Sequence, residues 1–139
     1  MAITVAGKGK GRRRGRYTRD ERIRLARLTT KLFELWGLDL RTQAVLLGLS
    51  PASRATLTRY RSGHPLADQP DRLERVGHLL GIHKCLQMLY PLNPELRHSW
   101  VGARNQRLDG HAPVEVMLRD GLPGIVAVRV LTEEMCRDH

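Results

Sequence analysis

Between residues 53 and 61 the chain carries Ser53, Arg54, Thr56, Thr58, Arg59 and Arg61 and no acidic residue. Guanidinium groups bind phosphate or read the acceptor edge of guanine, and hydroxyls bond to phosphates or to either class of base. The composition is that of a surface for nucleic acid. A second basic tract precedes it: residues 1–16 hold Lys8, Lys10, Arg12, Arg13, Arg14 and Arg16, interspersed with glycine and free of acid. With too little apolar surface to offset the entropy of ordering, this tract is expected to be a flexible arm able to lie in a minor groove.

The charge is unevenly placed. The chain has 24 Lys and Arg against 14 Asp and Glu in 139 residues, a formal charge of +10. Residues 1–63 hold 15 basic and 4 acidic side chains, or +11, and residues 64–139 hold 9 and 10, or −1. Such asymmetry predicts an N-terminal half that faces a polyanion and a C-terminal half with another task.

The remaining reactive side chains do not assemble into a catalytic pattern. "AGKGKG" has no preceding strand, no Ser or Thr after its lysine and no helix opening there, so it is not a phosphate loop. His78, His83, His98 and His111 lack a clustered carboxylate or cysteine partner. Ser99 beside His98, and Asp109 near His111, are too local for a nucleophilic triad. Cys85 and Cys136 show neither CxxC nor paired spacing and read as ordinary thiols of a reducing compartment. The sequence therefore predicts a protein that is not an enzyme and binds neither metal nor cofactor. No apolar run approaches the ~20 residues of a membrane span, and the weak apolar stretch at the start precedes its arginines, the reverse of a secretory signal. A cytoplasmic protein without a membrane partner is expected.

These side chains need elements to position them. Thr18 followed by Glu21 is a capping-box signature, Leu25, Leu28, Leu32 and Leu35 recur at helical spacing with Trp36 beside them, and Gly37 supplies a stop. The spacing then predicts a helix over 40–47, a turn at Gly48, and a helix over about 52–62 closed by Gly63. Ala44 and Gly48, four apart, match the crossing and turn residues of a helix-turn-helix, with Leu40, Leu47 and Leu57 for its core. The turn "SPAS" is longer than the commonest form, and Pro51 fits only within it or in a first helical turn.

Residues 71–80 are expected as a fourth helix ended by Gly81, and residues 82–90 as a fifth stopped by Pro91. Asn93 and Pro94 cap and open a helix through Trp100, Asp109 and Gly110 make a turn, Pro113 opens another helix with Glu115 in its first turn, and Pro123 starts the last after the stop at Gly121. The fold class predicted is all-α: an arm over 1–16, a helix-turn-helix bundle over 17–66, and a small helical domain over 67–139.

The second half carries a resemblance. A helix ending in Leu80-Gly81-Ile82, an aliphatic helix to Tyr90-Pro91, Trp100, Asn105, Pro113 with Glu115, Met117 and Leu118, Gly121, and a last helix with Val128 and Leu131 follow one another in order. This stretch resembles the toxin-binding domain of Xre/MbcA/ParS antitoxins, the partners of RES-domain toxins. The resemblance implies an Xre-like helix-turn-helix that binds operator DNA at its own promoter and represses it. It also implies a C-terminal domain that blocks the active site of a toxin that hydrolyses or phosphorolyses NAD or transfers ADP-ribose.

Carried over by position, the toxin-binding residues are Val128, Arg129, Leu131, Thr132, Glu133, Glu134 and Met135, and the DNA-binding set is Arg12, Arg13, Arg14, Arg16, Ser53, Arg54, Thr56, Arg59 and Arg61. A groove for anionic NAD should be cationic and would accept Glu133 and Glu134. The sequence ends soon after this helix, so no longer plug is expected. A homodimer, or a hetero-oligomer with the toxin, is the expected assembly. The alternative reading is a stand-alone dimeric helix-turn-helix transcription regulator whose C-terminal half serves only to dimerise.

Overall fold

The computed structural model describes residues 17–138, so the arm residues Arg12, Arg13, Arg14 and Arg16 lie outside the described residues. The first helix, α1 (Arg19–Leu35), begins where the sequence says. Thr18 Oγ1 accepts the Glu21 N–H at 3.1 Å, and Glu21 Oε1 accepts the Thr18 N–H at 2.8 Å, so two otherwise orphaned donors are satisfied.

Three helices end in the same way. After α1, the Gly37 N–H bonds to the Glu34 carbonyl at 3.0 Å and Leu38 N–H to the Phe33 carbonyl at 3.1 Å. After α2 (Leu40–Leu46), Gly48 bonds to Val45 and Leu49 to Ala44, both at 2.9 Å; after α3 (Arg54–Arg61), Gly63 bonds to Tyr60 at 3.4 Å and His64 to Arg59 at 2.9 Å. Each is a Schellman pair, which needs a left-handed residue just past the helix; Gly48 supplies it with φ +78°. The segment from Leu47 to Ser53 is the long turn expected around Pro51, held by Ser53 N–H to the Ser50 carbonyl at 3.0 Å and Ala52 N–H to Ser50 Oγ at 3.2 Å.

The structure corrects one boundary. The helices expected over 71–80 and 82–90 are a single helix, α4 (Pro70–Leu89). An interior glycine costs a helix about 1 kcal/mol relative to alanine, and burial of Val76, Leu79, Leu80, Ile82, Leu86 and Leu89 on both sides of Gly81 outweighs that. Gly81 marks a close approach, because a Cβ there would collide with the guanidinium of Arg129.

Beyond α4 come α5 (Pro94–Ser99), single 3-10 turns at Trp100–Gly102 and Gln106–Leu108, α6 (Pro113–Asp120) and α7 (Leu122–Asp138). Asn93 Oδ1 caps α5 by accepting the Leu96 N–H at 3.1 Å, and Glu115 Oε1 accepts the Ala112 N–H at 2.8 Å at the start of α6. Asp109 (φ 56°) and Gly110 (φ 83°) form the expected turn, and Pro123 sits in the first turn of α7. The architecture is all-helical, with no strand among the described residues.

The packing centres on α4. Leu25, Leu32 and Phe33 of α1, Ala44 and Leu46 of α2, and Leu57 and Tyr60 of α3 enclose one side of its N-terminal half. Met117 of α6 and Ile125 and Val128 of α7 belong to the same cluster, with α7 packed along α4. Leu66 lies in the same cluster, so the core runs unbroken across the expected 66/67 division. No described helix is long and apolar enough to cross a membrane.

Candidate nucleic-acid interface

The helix-turn-helix is α2, the turn and α3. Ala44 is completely buried where the helices cross, and α3 turns Leu57 and Tyr60 inward. That leaves Arg54, Ala55, Thr58, Arg59 and Arg61 exposed, with Ser53 and Thr56 half-buried. Thr58 Oγ1 bonds to the Arg54 carbonyl at 3.1 Å, and Arg59 Nη2 donates to Thr56 Oγ1 at 3.3 Å. Arg61 turns back to Glu34 of α1, with Nε 3.3 Å from its Oε2. Arg54 and Arg59 are thus the guanidinium groups of α3 that no carboxylate claims among the described residues.

What holds α3 in place was not visible at the level of motifs. Arg72 of α4 is only 9% exposed, and its Nε donates to the Leu47 carbonyl at 2.8 Å while Nη1 donates to the Tyr60 hydroxyl at 3.2 Å. Arg75, one turn on, donates from Nη1 to the Leu46 carbonyl at 3.3 Å and from Nε to Asp71 Oδ2 at 2.9 Å. The last carbonyls of a helix have no intrahelical donor and carry its negative dipole end, so two arginines aimed at them satisfy both needs. The only sequence signal was two arginines, three apart, in the first turns of the helix after the expected domain.

Along α7 the expected toxin-binding residues separate into two groups. Val128 and Thr132 are fully buried and Leu131 is 6% exposed; these three face α4 and the core and are not available to a partner. Thr132 Oγ1 donates to the Arg129 carbonyl at 2.8 Å. Arg129 Nε pairs with Glu133 Oε2 at 3.0 Å, and its Nη1 donates to the Gly77 carbonyl at 3.3 Å and lies 3.3 Å from His78 Nδ1. Glu134 and Met135 are half-buried, and Val130, outside the expected set, is one of the exposed large apolar side chains.

Two titrating groups outside this surface are shifted by burial. Burial, with His98 and Arg97 nearby, pushes the His83 imidazole down to about 4. Burial, and the adjacent Cys85, push the Cys136 thiol up to about 11; its Sγ donates to the Cys85 carbonyl at 3.5 Å. Among the described residues no three His, Cys, Asp or Glu side chains converge as a metal site would need.

Comparison with known proteins agrees with this geometry. Residues 16–81 match the family described as "Antitoxin Xre-like helix-turn-helix domain". An uncharacterised protein, y4oB, of Sinorhizobium fredii is 29% identical over 99 residues, spanning 71% of this chain and 74% of the relative. The matched segment takes in α1 to α3 and continues along α4 as far as Gly81, so it includes Arg72 and Arg75 with the helix-turn-helix they support. Over residues 16–81 the chain is thus similar to the Xre-like helix-turn-helix domain of antitoxins, which supports a DNA-binding antitoxin or regulator.

Proposed function

We propose that the chain neutralises a RES-domain, NAD-consuming toxin and represses its own operon. The observation that carries the DNA half is the exposed face of α3, where Arg54 and Arg59 stand free of acidic partners. In this reading α3 enters the major groove; Arg54 and Arg59 reach base edges or phosphates, and Ser53, Thr56 and Arg61 contribute at its margins. Arg12, Arg13, Arg14 and Arg16 add phosphate or minor-groove contacts.

The toxin half rests on the order of motifs from Leu80 to Leu131 and on the acidic end of α7. Glu133, Glu134 and Met135, with Arg129 oriented by Glu133, form the contact surface; Val128, Leu131 and Thr132 hold that helix against α4. Carboxylates fit a toxin groove shaped for an anionic dinucleotide. Assembly is as a homodimer or a hetero-oligomer with the toxin.

The test is co-expression with the RES-domain toxin. Growth and cellular NAD are restored by the full chain and by Arg54→Ala/Arg59→Ala, which loses only operator binding. Restoration by no form of the chain would sink the antitoxin reading and leave a DNA-binding regulator.

A further inference from the structure

The outward face of α1 carries a row of long charged side chains. At about 100° per residue, Arg24, Arg27, Lys31 and Glu34 fall within an arc of about 80°. Arg24, Arg27 and Lys31 are exposed, and none has a carboxylate within 4.0 Å among the described residues. Asp20 closes the row at its N-terminal end, and Glu34 at the other end is neutralised by Arg61. Asp20, Ile23, Arg24, Arg27 and Leu28 line a shallow groove of about 420 Å³.

Two contacts fix this row relative to α3. A Cβ on Gly63, the residue that closes α3, would lie 2.8 Å from Arg27 Nη2, so the Arg27 guanidinium rests against the end of that helix. The Arg61–Glu34 pair, at 3.3 Å, ties the two helices again two turns further along α1. The row therefore runs beside the C-terminal half of α3 and shares its solvent side.

The distances suit duplex DNA. Packed helices lie about 8–10 Å apart, and the major groove is about 12 Å wide. A row one helix away from α3 falls outside the groove, on the phosphates of the bordering strand. The first helix of a helix-turn-helix ordinarily crosses that backbone, but the start of α2 is capped by Asp39. Its Oδ1 accepts the Thr42 N–H at 2.8 Å, and that bond holds the carboxyl below the usual carboxylate range, so it stays ionised. That anion offsets the exposed Arg41 beside it, so the start of α2 carries no excess of positive charge, and further cations must come from elsewhere.

We propose that Arg24, Arg27 and Lys31 of α1 form a second DNA contact, a sequence-independent strip that binds phosphodiester groups of the strand bordering the groove occupied by α3. The proposal rests on the DNA-binding reading of α3. It gives the strip a share of affinity and none of the base discrimination, which belongs to α3.

The experiment measures binding of the full chain to operator duplex and to a scrambled duplex by fluorescence anisotropy from 50 to 300 mM salt. Arg24→Gln/Arg27→Gln/Lys31→Gln is compared with wild type and with Arg59→Ala. Each phosphate left unneutralised lowers the magnitude of the log-log salt slope by about 0.9, so the triple variant drops by up to about 2.7. Both duplexes lose affinity by the same factor, at least tenfold, while Arg59→Ala lowers the operator-to-scrambled ratio. Far-UV circular dichroism and melting establish that the triple variant is folded, and Arg27→Lys, which keeps the charge, keeps the slope.

A wild type with a steep slope and a triple variant with the same slope and affinity overturns the strip and leaves the α3 reading standing. Loss of toxin neutralisation with unchanged DNA binding assigns the row to a protein partner and equally overturns it. A wild type that binds neither duplex removes the α3 reading and the strip together.

Discussion

Arg72 on α4 and Tyr60 on α3 meet at 3.2 Å, and the same guanidinium reaches the Leu47 carbonyl at the end of α2 at 2.8 Å. One buried cation therefore spans both helices of the DNA-binding motif from behind. Hydrogen bonds that involve a charged group contribute about 1.5–3 kcal/mol, and leaving buried acceptors unpaired adds a penalty. Arg72→Met is expected to lower stability by about 2–4 kcal/mol, read from urea unfolding. Arg72→Lys recovers only part, because an ammonium lacks the fork that serves both acceptors. A double-mutant cycle with Tyr60→Phe should return a coupling of about 1 kcal/mol; zero coupling would show the contact to be incidental.

Gly77 and Gly81 stand one turn apart on α4 and give opposite environments to an added methyl. A Cβ at Gly77 meets nothing within 4 Å, whereas one at Gly81 collides with Arg129. Gly77→Ala is expected to stabilise by about 0.5–1 kcal/mol through helix propensity and loss of unfolded-state freedom. Gly81→Ala has the same gain and dislodges a guanidinium bonded to Glu133 and the Gly77 carbonyl, so it should fall short by about 1 kcal/mol. In an Arg129→Ala background the two substitutions should become equal. A persisting difference there would place the constraint in the backbone instead.

His83 provides a pH dependence with a definite sign. Its folded-state value is about 4, against an ordinary 6.5, because burial opposes the charged form, with Arg97 and His98 adding to the effect. The unfolded chain takes up the proton first, so the stability associated with neutral His83 is complete above about pH 6.5 and is lost as pH falls toward 4. Melting temperature followed from pH 7.5 to 4 should decline more steeply for wild type than for His83→Gln. Parallel curves would mean that another group titrates.

On α7 the substitutions should sort by face. Val128→Ala is expected to cost about 2 kcal/mol of stability. Glu134→Lys should leave the melting temperature nearly unchanged, Met135→Ala, whose side chain packs partly on the core, should lower it less than Val128→Ala does, and both should reduce toxin neutralisation in the co-expression assay. If all three act only through stability, the contact surface lies off this helix.

Much of the fold was legible because its punctuation is local. Thr18 with Glu21, the glycines at 37, 48 and 63, Asn93, Asp109 and Pro113 each satisfy backbone groups a few residues away, and such chemistry is written in neighbouring letters. Gly81 misled for the same reason: as a letter it reads as a stop, and only burial on both sides, set by distant α7, keeps the helix intact. Arg72 was invisible as a support because its acceptors lie 25 and 12 residues back. The toxin-facing set implied by the resemblance is a run of neighbouring positions, and such a run on a helix samples every side; Ile125, Val128, Leu131 and Thr132 mark the inward stripe.

The family match ends at Gly81, in the middle of the 20-residue α4. The DNA reader and the remainder of the chain are thus joined by an uninterrupted rod about 30 Å long, with no linker between them. Whatever grips α7 acts on the same helix that props the reading head through Arg72 and Arg75. Grafting this reader onto a different C-terminal half would require matching helical phase to the residue, since each position inserted or removed at the splice rotates the graft by about 100°.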